Sequence, residues 1–381
     1  MLMNITRRDF ILGTAGLVLT GCSDYASSST SNQNTQNLIL GGGTYLDPNT
    51  LKAKYVISVV NLKSRTRSLT DMSFMPHGIH RNPADTNRLV IFEKRGPGAC
   101  EYDLNSREVV RSIPVTAGRY FYGHGAYSMD GSLIYSTETL LQTGDGVIAI
   151  RDAKTLEIVG EFPSYGKEPH ECKLINNGQT MVVTNGGGNI QGDAPCVTYI
   201  DIASKQLLEK VELSNARLNT GHASVNDNGS LVVVSAPRSG LGKQHLGGVS
   251  IRPHGESMKT AASPDVITKR MQGEALSVAI NPKEKIAAVT HPDGNMVTIW
   301  SLQSRQLLKV INLEQPRGVE LTSNMKNFVI SYGTTANLIQ IPVATLEPDK
   351  SSIIKASYIS GSHIYNWSRK MNELFYPGPL A

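Results

Sequence analysis

Seven times along this chain a strand-like segment opens on a polar residue: His77, His124, His170, His222, Glu274, Arg317 and His363. Successive openers lie 47, 46, 52, 52, 43 and 46 residues apart, and five of the seven are histidine. A period of this length marks a β-propeller, in which each repeat is one four-stranded blade. Equivalent positions in such a repeat form a ring around one axis. The recurrence therefore constrains the fold and also nominates a set of imidazoles for a shared site.

Each unit follows one plan: a polar opener, an alternating strand, an Asn/Asp/Gly turn, a β-branched strand, a third strand ending in Asp or a similar residue, and a fourth strand. The His124 unit runs His124-Gly-Ala-Tyr-Ser, Met129-Asp-Gly-Ser, Leu133-Ile-Tyr-Ser-Thr, Gly146-Val-Ile-Ala-Ile-Arg-Asp152 and Leu156-Glu-Ile-Val-Gly-Glu-Phe. The His170 and Glu274 units repeat the plan, and the Arg317 unit follows it more loosely. Helical periodicity of useful length is absent, so the expected class is all-β. Six units account for about Phe74 to Ile359. One strand remains at the C-terminus (Ser362-His-Ile-Tyr-Asn-Trp) and three at the N-terminus (Leu38-Ile-Leu, Tyr55-Val-Ile-Ser-Val-Val, Thr66-Arg-Ser-Leu). Together they predict a seven-bladed propeller whose last blade is closed by one C-terminal and three N-terminal strands, leaving no open sheet edge. A six-bladed ring with extra strands is the competing count.

The N-terminus reads as an address. Thr6-Arg7-Arg8-Asp9-Phe10-Ile11-Leu12 has the form of a twin-arginine export signal, followed by an apolar stretch from Ile11 to Leu19 that is too short for a permanent membrane span. Leu19-Thr20-Gly21-Cys22 matches a bacterial lipoprotein cleavage box, with Cys22 as the lipidated residue. Residues 1–21 are thus expected to be a signal peptide, 22–37 a flexible polar tether and 38–381 the propeller. The expected location is periplasmic, anchored to a membrane by lipid, with the chain a monomer.

The formal net charge is +5, and no Lys/Arg run exceeds two, so nucleic-acid binding has no support. Beyond Cys22 the chain has Cys100, Cys172 and Cys196. An odd number leaves at least one unpaired, and buried free thiols are the expectation.

In a propeller the first strands line the central channel, so the openers should sit at one mouth. The ends of the second strands, Glu93, Glu138, Asn185, Ser235 and His291, should lie nearby. Two glycine runs, Gly41–Gly43 and Gly186–Gly188, would let a ligand or backbone come close. The candidate metal set is His77, His124, His170, His222 and His363 with Glu93 and Glu138, a donor mix suited to Fe, Cu or Zn. No local metal motif accompanies it, and a strand would turn His80 away from His77. A structural role is equally open, because Gly123-His124 and Gly221-His222 repeat the Gly-His dipeptide whose histidine bonds within the blade in WD-repeat propellers. Two further readings stand. One is an enzyme of lactonase or oxidoreductase type with Glu93 or Glu138 beside histidine as acid and base. The other is a protein-docking scaffold. No catalytic residue is assigned.

One stretch resembles a known family. The run Tyr122-Gly-His-Gly-Ala-Tyr-Ser-Met-Asp-Gly-Ser-Leu-Ile-Tyr-Ser-Thr-Glu138 leads into Gly144-Asp-Gly-Val-Ile-Ala-Ile-Arg-Asp-Ala. Gly160-Glu-Phe-Pro-Ser-Tyr-Gly-Lys-Glu-Pro-His-Glu and Val182-Val-Thr-Asn-Gly-Gly-Gly complete it. It is similar to exported bacterial propellers, YVTN- or WD-repeat-like, whose domain has no assigned function. The resemblance implies a propeller in the periplasm. It also implies partners of imelysin or redox type, since such proteins tend to be encoded beside imelysin-type and dihaem oxidoreductase-like proteins, a setting of iron handling. In this chain Glu274 and Arg317 interrupt the histidine series.

Overall fold

A computed structural model describes residues 38–226, 229–242 and 244–367. The expected signal peptide, the tether with Cys22, and the residues after Trp367 lie outside the described residues.

The repeat plan becomes antiparallel four-stranded sheets. In the His170 unit, Pro169–Ile175, Thr180–Asn185, Cys196–Asp201 and Leu207–Glu212 pair in chain order. The second strand, TMVVTN, is buried along its whole length, while the fourth, LLEKVE, is mostly exposed. Strands covered on both faces read as continuous apolar or β-branched runs, and outer strands do not. The turn between the first two strands uses Asn176, Asn177 and Gly178, all at positive φ, which Asn and Gly tolerate best.

The residue that ends each third strand has a defined role. Asp103, Asp152 and Asp201 each accept the N–H of the residue three positions on, at 2.9, 2.9 and 2.7 Å. The residue after that, Arg107, Leu156 or Lys205, takes positive φ and leads into the fourth strand one or two residues on. This Asx turn is why an acidic residue recurs at that point.

The architecture is an all-β propeller; the helix found among the described residues is one four-residue turn, Asp265–Thr268. Seven separate blades are not observed. Five sheets stand alone with four strands each, and the His77 and His124 units share one eight-stranded sheet. The cause is local. Gly123 at φ +118 and a register shift between Phe121 and Gly125 bend the first strand Arg119–Tyr127. Its N-terminal half then pairs with the long second strand Arg88–Gly96 of the preceding unit, Lys94 opposite Tyr122 and Gly96 opposite Phe121.

One of the five sheets combines Tyr365–Asn366 with Leu38–Leu46, Ala53–Asn61 and Arg67–Met72, so one C-terminal and three N-terminal strands do make a sheet. Apolar packing runs between neighbouring sheets. Trp300 is fully buried in a cluster spanning the His222 and Glu274 units, and Trp367 packs between the closing sheet and the His77 unit. Burying one such indole contributes roughly 4–6 kcal/mol, from about 150–250 Å² at 25 cal/mol per Å². Gly41–Gly43 serve this closure rather than a ligand: a side chain at Gly42 would overlap the Pro76 carbonyl, and one at Gly43 that of Tyr358. The three cysteines are free and buried, and burial pushes the Cys100 thiol up to about 12 and Cys196 to about 11.

Candidate metal centre

His77 lies in Pro76–Arg81, His124 in Arg119–Tyr127 and His170 in Pro169–Ile175; His222 and His363 sit just before Ala223–Val225 and Tyr365–Asn366. All five belong to innermost strands or their entries, and their rings meet on the axis. They are not at an open mouth: His77, His124, His170 and His222 are at most 6% exposed.

Three Nε2 atoms form a triangle. His170 to His222 is 2.8 Å, His222 to His77 is 3.2 Å and His77 to His170 is 3.3 Å. The Nδ1 atoms are committed elsewhere. His170 Nδ1 donates to the Tyr122 carbonyl at 2.7 Å, and His222 Nδ1 donates to the Leu276 carbonyl at 2.5 Å. His77 Nδ1 has the Ser362 hydroxyl at 3.3 Å. A carbonyl can only accept, so the proton of a neutral His170 or His222 is on Nδ1 and its Nε2 presents a lone pair. Burial, and then the other imidazoles for His77 and His170 and the Lys94 charge for His222, hold these rings well below the usual histidine range, which keeps them neutral.

Lone pairs facing one another at such distances repel unless a cation lies among them. Three nitrogens at about 2.0–2.1 Å from one ion lie about 2.9 Å apart in a facial octahedral set and about 3.4 Å apart in a tetrahedral one. The observed sides span that interval.

His124 offers a fourth nitrogen, all four ligand atoms lying within 4.8 Å of one another. Neither of its ring nitrogens has a hydrogen-bond partner among the described residues, although the side chain is 1% exposed. His363 stands 4.0 Å from His222 and 4.7 Å from His124, ring centre to ring centre, and its Nε2 also lacks a partner. Buried imidazoles that serve a blade structurally would be hydrogen-bonded within it. His124 is not.

Residues 71–355 match the family described as a protein of unknown function, DUF1513. The chain belongs to that family. The DUF1513 match bears out the resemblance drawn from the Tyr122–Gly188 motifs as to family and propeller architecture. A comparison with curated proteins finds no match. Among solved structures, the chain is similar to Kuenenia stuttgartiensis hydrazine synthase, at 14% identity and TM-score 0.62, over 84% of this chain and 99% of that one. It is also similar to dihydro-heme d1 dehydrogenase NirN in complex with DHE, at 13% identity and TM-score 0.57, over 88% of this chain and 76% of that one. At such identities the likeness is one of fold.

The two glutamates expected in the site of this DUF1513 chain lie elsewhere. Glu138 is fully buried but pairs with Arg151 at 2.7 Å and faces Arg119 at 3.5 Å. Glu93 accepts the Gly98 N–H at 2.9 Å and closes its own hairpin. Asn185 bonds Ser164 and Thr198, and His291 bonds Thr298, all within or between blades. Second-strand ends look across to third strands and neighbouring blades, so they do not join the axial ring.

Two cavities flank the imidazoles in this family member. One, about 250 Å³, is lined by His170 and His222 with Lys94, Arg95, Tyr122, Gly186 and Glu274. The other, about 270 Å³, is lined by His222 and His363 with His80, Glu171, Lys173, Glu320 and Tyr365. His80 stands outside the four-histidine group, edge-to-face with His124 at 5.6 Å between ring centres, and accepts the Gly125 N–H at 3.1 Å. Sequence reading missed this second set, yet it had a signal. The residues three after each opener are His80, Tyr127, Lys173, Val225, Ser277, Glu320 and Asn366, and every one lines the 270 Å³ cavity. A strand that follows the axis carries a second ring as surely as a first.

Proposed function

We propose that this chain is a metal-binding β-propeller, holding one transition-metal ion on its axis through His77, His124, His170 and His222, with His363 beside them. The observation that carries this reading is the Nε2 triangle in which the Nδ1 protons of His170 and His222 are anchored to carbonyls. Outer hydrogen bonds of that kind fix the tautomer and ring orientation of metal-ligating histidines. An all-imidazole set suits Zn, Cu, Fe or Ni. The spacing suits a bare ion among the rings. The flanking cavities fall just below the roughly 300–1,000 Å³ of drug-sized ligand pockets, which argues against a large metal complex.

A role in iron handling is part of the proposal. It draws on the resemblance of the motifs and on one structural neighbour, a dihydro-heme d1 dehydrogenase. Glu93 and Glu138 are left out of the ligand set. The test is metal analysis of exported protein, followed by competition titration of metal-free protein with Fe(II), Cu(II) and Zn(II). His124→Ala and His170→Ala should each lose at least tenfold in affinity. A folded wild type with no affinity tighter than micromolar for any of the three would refute the proposal.

We further propose that the eight-stranded sheet counts as two blades, giving a seven-bladed ring, since each half keeps four strands in chain order. An experimental structure in which the two halves share one twist and one unbroken core would refute that count. Export through the twin-arginine signal and lipidation at Cys22 belong to the same reading. Cys22→Ala should release the protein from the membrane fraction, and retention would speak against the anchor.

A further inference from the structure

The 250 Å³ cavity differs from its counterpart in charge. Lys94, an exposed residue, lines it, makes no hydrogen bond or ion pair among the described residues, and its positive charge acts on His77, His170, His222 and His363. Arg95 and Arg317 reinforce that charge, and Glu274 opposes it. Arg95 is already engaged, bonded to the Tyr122 hydroxyl and paired with Glu168 at 3.0 Å. Lys94 is therefore a cation of this cavity's lining with no ion pair among the described residues, and the nearby Arg317 guanidinium has a buried Nε without a partner among them. In the other cavity the equivalent cation, Lys173, is paired with Glu171 at 3.1 Å and bonds the Ala223 carbonyl at 2.7 Å.

A divalent ion on the axis would add to this excess. The five neighbouring rings are neutral and Glu274 is one charge. Like charges repel, more so on the side of the buried imidazoles, so the favourable arrangement places an anion between ion and ammonium. The lining also supplies a polar group with capacity to spare: the Asn219 amide, whose NH2 has no partner among the described residues while its oxygen accepts the Ala236 N–H. At about 250 Å³ the space holds a few waters or one small anion, each water occupying roughly 30 Å³ in the liquid.

We propose that this cavity is a site for a small anion, a carboxylate or inorganic oxyanion, that bridges the metal and the Lys94 ammonium. The inference rests on the metal reading above. It makes the centre a metal-plus-anion site entered from the Lys94 side, with Glu274 setting an upper limit on the anion's charge.

The test uses the full mature chain loaded with Cu(II), with metal content measured first. Azide and formate are then titrated while the visible absorption and electron paramagnetic resonance of the copper are followed. Wild type should show a saturable spectral change. Lys94→Met should keep one copper per chain and bind azide at least tenfold more weakly, while Lys94→Arg should stay within about threefold of wild type. A wild type that binds no metal overturns the metal reading and this inference with it. A copper-loaded wild type whose spectrum ignores both anions overturns this inference alone. So does a Lys94→Met variant with unchanged azide affinity.

Discussion

Glu138 offers a sharp test of which polar residues hold the fold and which make the site. Its carboxylate is fully buried and lies 2.7 Å from the Arg151 guanidinium, itself 1% exposed. With Glu138 truncated to alanine, Arg151 retains the Ser136 hydroxyl at 2.6 Å, the Pro114 carbonyl at 3.2 Å and the face of the Phe121 ring. None of these carries a charge. Breaking a buried pair from one side costs about 3–5 kcal/mol because an uncompensated ion stays behind. Unfolding entropy of about 2.1 cal/mol/K per residue gives about 0.7 kcal/mol/K for roughly 330 residues, so the melting temperature should fall by roughly 4–7 °C. Glu138→Gln, which keeps an acceptor but not the charge, should lose less. Metal content should be the same in both variants and in wild type. Thermal melts beside metal analysis of the folded fraction check this. A Glu138→Ala protein that melts within a degree of wild type, or one that stays folded but loses its metal, would refute the assignment.

Other consequences follow from single residues. Gly123 stands at φ +118, and a Cβ there would lie 2.7 Å from the His77 ring. Gly123→Ala should cost about 1–3 kcal/mol in backbone strain and weaken metal binding at least tenfold in a competition titration. Glu320 has its carboxyl pushed up to about 7 by burial, against a weaker opposing effect of the Leu321 N–H. The folded chain then holds a proton that the unfolded chain releases, so metal-free wild type should lose stability as pH rises from about 4.5 to about 7 and level off above. The loss is at most about 3 kcal/mol at 1.36 kcal/mol per unit, less because the side chain is only half-buried, and Glu320→Gln should abolish the slope in denaturant melts. Stripping the metal with a chelator should lower the melting temperature reversibly, and His170→Ala should show no such response; an equal response in both would count against the centre.

The propeller was legible because its repeat has a physical basis at each landmark. Asp103 and Asp152, each ending a third strand, accept two N–H groups to turn the chain, and the Asn-Asn-Gly turn at 176–178 supplies the positive φ its hairpin needs. The histidine spacing was enough to predict a shared ring, since one position per unit maps to one height on the axis. The joining of the His77 and His124 units was not legible, since it depends on the bend at Gly123, and a lone glycine in a strand fits many geometries. Glu93 and Glu138 were misplaced for a related reason. Being at a strand end fixes height but not direction, and in a strand alternate side chains face opposite ways. Lys94, one residue past Glu93, reaches the cavity that Glu93 does not.

The energetics of the ring support the proposed occupant, a metal ion. Both nitrogens of His124 and the Nε2 of His363 lack partners, and each such group costs about 1–3 kcal/mol when left buried and unsatisfied. Three of them amount to roughly 3–9 kcal/mol, comparable with the whole net stability of about 5–15 kcal/mol of an ordinary domain. To this is added the repulsion of the lone pairs on His170 and His222 across 2.8 Å. A chain that gathered five imidazoles, four of them buried, only to pack its channel would carry that cost with no return. Apparent binding free energies of structural zinc sites run to about 10–16 kcal/mol, large enough to offset it. The balance favours the ion because the carbonyls of Tyr122 and Leu276 hold two of the rings in the ligating tautomer before any metal arrives. The cost of ordering the ligands is thereby met by folding, and the proposed ion would meet a preformed set of donors.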